Sequence, residues 1–166
     1  MASIEFPGSC LIDTTFVIHL VNPRLEYHAN ALTYFQALQT NRTALYLPTL
    51  VMAEYAVKGG TDGVLAVLAT LGAQVCGFDM AAALRYGELA QQHRTIFNAP
   101  TPEKERSIVD LMLVAIADTQ GIESIVTTDR HIAGALRNGT QVGVIDLKNP
   151  PESMLPLWRQ SENGGE

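Results

Sequence analysis

Four carboxylates stand out in this sequence by where they fall. Asp13 ends the apolar run Cys10-Leu11-Ile12, and Asp129 follows the run SIVTT. Glu54 interrupts LPTLVMAEYAV, and Asp110 opens VDLMLVAIA, an apolar stretch broken next by Asp118. A carboxylate on an apolar helical face is costly to bury unless it is paired or binds a cation. Each acid alone has a simpler explanation. Asp13 and Asp129 can cap the helices that follow them. Asp110 can gain from the helix dipole, and Glu54 can be solvated. Two strand-end acids together with two acids in apolar helices are harder to explain by capping. Such a cluster stays ionised in one pocket only when cations offset its charge. Hard oxygen ligands suit Mg²⁺ or Mn²⁺. Such ions activate water and offset the charge that builds on a phosphodiester.

The elements that would carry these acids alternate between strand and helix. Residues 10–12 form a short buried strand, and Thr14-Thr15 start a helix that breaks near Asn22-Pro23. Residues 24–39 carry Leu25, Ala29, Leu32 and Phe35 at helical spacing. A strand over 44–47 leads through Pro48 into a helix bearing Glu54, which ends at Gly59-Gly60. A further helix over 62–71 stops at Gly72, and 73–76 form a strand. Asp79 caps a helix to about Ile96, and residues 98–105 form the main loop. Ser107 is the expected N-cap of a helix over 108–119 closed by Gly121. A strand over 124–127, a short helix over 130–137 and a last strand over 141–146 complete the series. Strands that are apolar throughout and separated by helices imply a parallel sheet covered on both faces. Ligands then bind beyond the carboxyl ends of the strands, where Asp13 and Asp129 fall.

The chain has 166 residues, enough for one domain with a core that needs no staple. Hydrophobic residues make up 47% and charged residues 17%, which excludes disorder as the main state. A net charge of −6 argues against holding nucleic acid by global basic charge, but leaves room for an enzyme that meets phosphate through metal ions. Cys10 and Cys76 sit in apolar runs without ligand-spaced histidines and read as buried thiols. The N-terminal MASIEFPGSC lacks a basic region followed by an apolar stretch, and no apolar run is long enough to span a bilayer. The expected location is the cytoplasm. The expected division is a nuclease-type domain over 1–148 and a partly flexible C-terminal extension over 149–166, packed through Trp158.

With these motifs in view, the chain resembles PIN domains, and among them the VapC-like toxins of prokaryotes. LIDTTFVIHL resembles their opening motif and LPTLVMAEYAV their second, with its Glu. DLMLVAIADTQGIESIVTTDRHI resembles their third and fourth motifs. The four acids are 41, 56 and 19 residues apart, in the family's order, and the likeness runs from about residue 10 to 147. Where the family commonly has Asn, two residues after the first Asp, this chain has Thr15, whose hydroxyl can still donate.

The resemblance implies a three-layer α/β/α fold around a mostly parallel sheet of about five strands. It also implies a Mg²⁺- or Mn²⁺-dependent endoribonuclease, with Asp13, Glu54, Asp110 and Asp129 holding metal and orienting a water. Thr14, Thr15 and Thr128 are expected just behind them, and Asp118, about 80° further around its helix than Asp110, is expected either there or at the surface. Lys104, Arg106, Arg130 and His131 are candidates for RNA phosphate, although a solvated face explains any one of them. A small antitoxin and a homodimer are the partners implied, with no membrane. His19 reads as a core or interface histidine.

Rival chemistries fit less well. A haloacid-dehalogenase phosphatase needs a second Asp where Thr15 stands. A phospho-acceptor receiver needs an adjacent acidic pair after its first strand, and Asp13 lies between Ile12 and Thr14. The nearer alternative is a catalytically inactive PIN-like scaffold that binds RNA or protein.

Overall fold

The computed structural model describes residues 6–94, 103–134 and 137–149, with residues 103–106 as backbone only. Five strands, β1 (Ser9–Ile12), β2 (Ala44–Pro48), β3 (Gln74–Cys76), β4 (Ser124–Thr127) and β5 (Gly143–Asp146), form one sheet in the order β3-β2-β1-β4-β5. Every pairing is parallel, with Leu11 opposite Tyr46 on one side and Ile125 on the other. The helices are α1 (Thr14–Val21), α2 (His28–Thr40), α3 (Thr49–Leu71), α4 (Met80–Gln92), α5 (Glu103–Thr119) and α6 (Arg130–Ala133). They flank the sheet, with α1 packed on α2 and α3, and α5 packed on α4, α6 and β4. The central strand β1 buries Cys10, Leu11 and Ile12 completely, as a strand covered on both faces must. On α5, Leu111, Leu113, Val114, Ala115, Ile116 and Ala117 are sealed in the core.

The strand order reverses beside β1. Successive β1, β2 and β3 run to one side of it, and β4 and β5 lie on the other. Chain leaving the carboxyl ends of β1 and β4 therefore departs in different directions and opens a crevice. Asp13 directly follows β1, and Asp129 lies two residues beyond β4.

Two turns of sequence logic shape α3. Gly72 closes it in the left-handed conformation at φ 59°, ψ 29°, as the sequence leads one to expect. Gly60, at φ 66° and ψ 178°, breaks it into two segments in a region of backbone space open essentially to glycine alone. The expected stop at Gly59-Gly60 is thus real, although the chain resumes as helix without an intervening loop.

Other boundaries differ from expectation. Ser107 is not an N-cap: α5 begins at Glu103, and Ser107 is buried inside it. Helix-forming Glu103, Lys104 and Glu105 extend α5 back into what composition marks as loop. The helix α2 begins at His28, and β5 at Gly143. The rest of the expected loop over 98–105, most of the extension over 149–166 and Trp158 lie outside the described residues. Both cysteines are free and buried, and burial pushes their thiols up to about 12 at Cys10 and about 11 at Cys76. Inert reduced thiols are what the sequence implies. No helix of the described residues is long and apolar enough to cross a membrane.

Candidate active site

Asp13 both caps a helix and lines the candidate cleft. Its extended backbone (φ −85°, ψ 157°) ends β1 and starts α1, and its Oδ1 accepts the N–H of Thr14 at 2.6 Å. Its Oδ2 accepts the hydroxyls of Thr15 at 2.7 Å and Thr127 at 2.6 Å. Both hydroxyls are held in turn by backbone donors. The N–H of Thr128 donates to Thr15 Oγ1 at 3.1 Å, and that of Asp129 to Thr127 Oγ1 at 2.8 Å. A hydroxyl has one proton, so these two point theirs at Asp13. Asp13 is only 5% exposed. Burial pushes its carboxyl above the ordinary range, against the Thr127, Thr15 and Thr14 hydrogen bonds, and the charge of Glu54 adds to the rise.

The other acids arrive from separate elements. Glu54, exposed on the first segment of α3, accepts the Thr14 hydroxyl at its Oε2, which ties α3 to the first turn of α1. Asp110 is half-buried on α5. Asp129 caps α6, its Oδ1 accepting the N–H of His131 at 2.6 Å and of Ile132 at 3.4 Å. All four line one cleft of about 590 Å³, together with Thr14, Thr15, Val57, Lys58 and Val109. Capping and cleft lining are therefore not alternatives for Asp13 and Asp129, because each does both.

Of the residues expected behind the acids, Thr14, Thr15 and Thr128 are in the network just described. Asp118 is not. It turns away to Arg85 on α4, which donates from Nε to its Oδ2 at 2.6 Å, and it does not line the cleft. Arg130 and His131 are exposed on α6 outside the lining. The side chains of Lys104 and Arg106 lie outside the described residues. Lys58 does not stand out in the sequence, and Thr127 does so only as the Thr of the T-x-D in the fourth motif. A Thr in a buried strand reads as an ordinary strand former, and a Lys one turn after a helical Glu reads as surface. The one available signal for Thr127 is its place two residues before an acid at a strand end.

Among the described residues, the ion pairs join Arg85 to Glu88 and Asp118, and none reaches Asp13, Glu54 or Asp129. The cleft thus gathers these three carboxylates without matching them to protein cations at close range. The donor chemistry of the four acids, all carboxyl oxygen, fits a hard divalent cation, and the burial cost at Asp13 is one such an ion would offset. Among the described residues, no three His, Cys, Asp or Glu side chains form a preassembled metal cage.

A family profile described as PIN domain matches residues 10–135, and the chain belongs to this family. Solved structures share the fold. FitAcB from Neisseria gonorrhoeae is 14% identical with a TM-score of 0.59, over 84% of this chain and 99% of that one. VapBC2 from Rickettsia felis, bound to a DNA fragment from its promoter, is 16% identical with a TM-score of 0.57, over 83% and 99%. VapBC-5 from Mycobacterium tuberculosis, of the VapBC family of toxin–antitoxin systems, is 19% identical with a TM-score of 0.53, over 84% and 99%. No curated protein matches the sequence.

Proposed function

We propose that this protein is a Mg²⁺- or Mn²⁺-dependent endoribonuclease acting as the toxin of a toxin–antitoxin pair. The observation that carries this reading is the convergence of Asp13, Glu54, Asp110 and Asp129, from four separate elements, on one cleft beside the point where the sheet order reverses. Membership of the PIN domain family supports it.

In this reading the four carboxylates hold the cation. A divalent ion bound there supplies an activated water and offsets charge on the phosphate under attack. The chain's own residues supply position. Thr15 and Thr127 hold Asp13 Oδ2 by fixed hydroxyl protons, and Thr14 joins Asp13 to Glu54. Asp129 is oriented by the amides that start α6. No serine, cysteine or histidine nucleophile lines the cleft among the described residues, so direct attack by water is the chemistry the residues favour.

The solved relatives include VapBC complexes, and by that analogy of fold a small antitoxin is the proposed partner, with the toxin a homodimer.

The test incubates the purified protein with structured and unstructured RNAs, with Mg²⁺ or Mn²⁺ and with EDTA, alongside Asp110→Asn. Cutting that needs metal and is lost in the variant is the expected result. A folded protein that cuts none of the RNAs with either metal would leave the inactive scaffold as the better reading.

A further inference from the structure

Resting on the nuclease reading, we infer that Lys58 is the residue that grips an RNA phosphate within the cleft. Among the described residues that line the cleft, Lys58 is the one cation, set against four carboxylates. A polyanion entering such a cleft needs a positive contact beyond the ions held by the acids, and the chain's net charge of −6 supplies no general attraction.

Lys58 is also available. It stands four residues after Glu54, the orientation in which a helical Glu–Lys pair forms most readily. That pair is not made: Glu54 Oε2 takes the Thr14 hydroxyl instead, and no salt bridge joins Glu54 to Lys58. The neighbouring Val57 is 87% exposed and lines the same cleft, so the face of α3 that bears Val57 and Lys58 is open to solvent, while Tyr55 packs against the core. The glycine-only break at Gly60 ends the first segment of α3 just after Lys58. The second segment is thereby redirected, and the lysine is left on the last full turn beside the cleft. An ammonium on a flexible stem there meets a non-bridging phosphate oxygen as a point charge.

The experiment measures cleavage of the RNA that the wild type cuts fastest, from a panel of structured and unstructured RNAs, at several salt concentrations. It compares wild type, Lys58→Ala and Lys58→Arg. A phosphate contact predicts that Lys58→Ala raises KM about 5- to 30-fold with little change in kcat. It also predicts a salt dependence of log(kcat/KM) shallower by about 0.7, the share of one phosphate contact on a single strand. Lys58→Arg keeps the charge and most of the affinity. The melting temperature of all three is the same, since the side chain is exposed. A Lys58→Ala enzyme with wild-type KM and salt slope overturns the assignment while leaving the nuclease reading intact. A wild type that neither cuts nor binds any of the RNAs overturns both.

Discussion

Thr127 Oγ1 donates to Asp13 Oδ2 at 2.6 Å and accepts the N–H of Asp129 at 2.8 Å. One fully buried hydroxyl therefore joins the acid that ends β1 to the turn that carries the acid beyond β4. Its removal should separate positioning from chemistry. Thr127→Val keeps the shape but orphans the Asp129 amide and leaves Asp13 Oδ2 with Thr15 as its one hydroxyl donor. Metal-dependent cleavage should fall roughly 10- to 100-fold, as for other residues that orient metal-binding groups. Stability should fall by about 1–3 kcal/mol. Thr127→Ser, which restores the hydroxyl, should recover most of both. Cleavage unchanged in Thr127→Val would show that Asp13 does not need this partner.

Arg85 makes a different kind of junction. Besides Asp118 it reaches Glu88 Oε2 at 2.8 Å from Nη1 and the carbonyl oxygen of Gly139 at 2.7 Å from Nη2, so it ties α4 to α5 and to the turn before β5. The Glu88 arm is largely exposed and contributes little. The Asp118 arm is sheltered, with Arg85 24% and Asp118 20% exposed. Arg85→Ala should therefore cost about 1–2 kcal/mol, a fall in melting temperature of roughly 2–8 °C for a chain of this size. Cleavage per folded molecule should not change, because neither partner lines the cleft. A selective loss of cleavage in Asp118→Asn, without loss of stability, would return Asp118 to the site.

His19 gives the fold an acid limit. It packs beside Tyr27, ring centroids 5.3 Å apart, and neither ring nitrogen has a hydrogen-bond partner among the described residues. Burial lowers its pKa from 6.5, the nearby His28 lowers it further, and Glu26 opposes them. The unfolded chain then takes up this proton first as pH falls. The stability due to neutral His19 is complete above about pH 6.5 and is lost progressively below it, down to the folded-state value. Denaturant midpoints between pH 8 and pH 5 should show that decline, and His19→Phe should flatten it. An equally steep decline in the variant would place its origin elsewhere.

The acids are legible in the sequence because they break patterns. Asp13 and Asp129 end apolar strands, and Glu54 and Asp110 interrupt apolar helices, so each is conspicuous from residue order alone. The parallel sheet is legible for a related reason, since strands such as Cys10-Leu11-Ile12 have no polar face. What holds the acids is legible only in part, through the threonines expected behind them, Thr14, Thr15 and Thr128. Thr127 conforms to its strand, and the contact it makes joins residues 114 positions apart, which no local pattern reports. For Asp118, helical periodicity gives its angle from Asp110 and leaves two places open, but does not report that Arg85 on α4 claims it. Ser107 looks like a cap by residue type, yet the helix formers before it carry α5 on past it toward its N-terminus.

The most direct measurement compares single-turnover cleavage of one RNA, at saturating Mn²⁺, by wild type and by Asp13→Asn, Glu54→Gln, Asp110→Asn and Asp129→Asn, with the melting temperature of each. If the four carboxylates act as one metal-holding unit, each substitution should slow cleavage by about 100-fold or more in a folded protein, and combining two should cost far less than the product of their separate effects. Cleavage at the wild-type rate by folded Asp13→Asn or Asp110→Asn would contradict the account, and would place the chemistry outside this cleft.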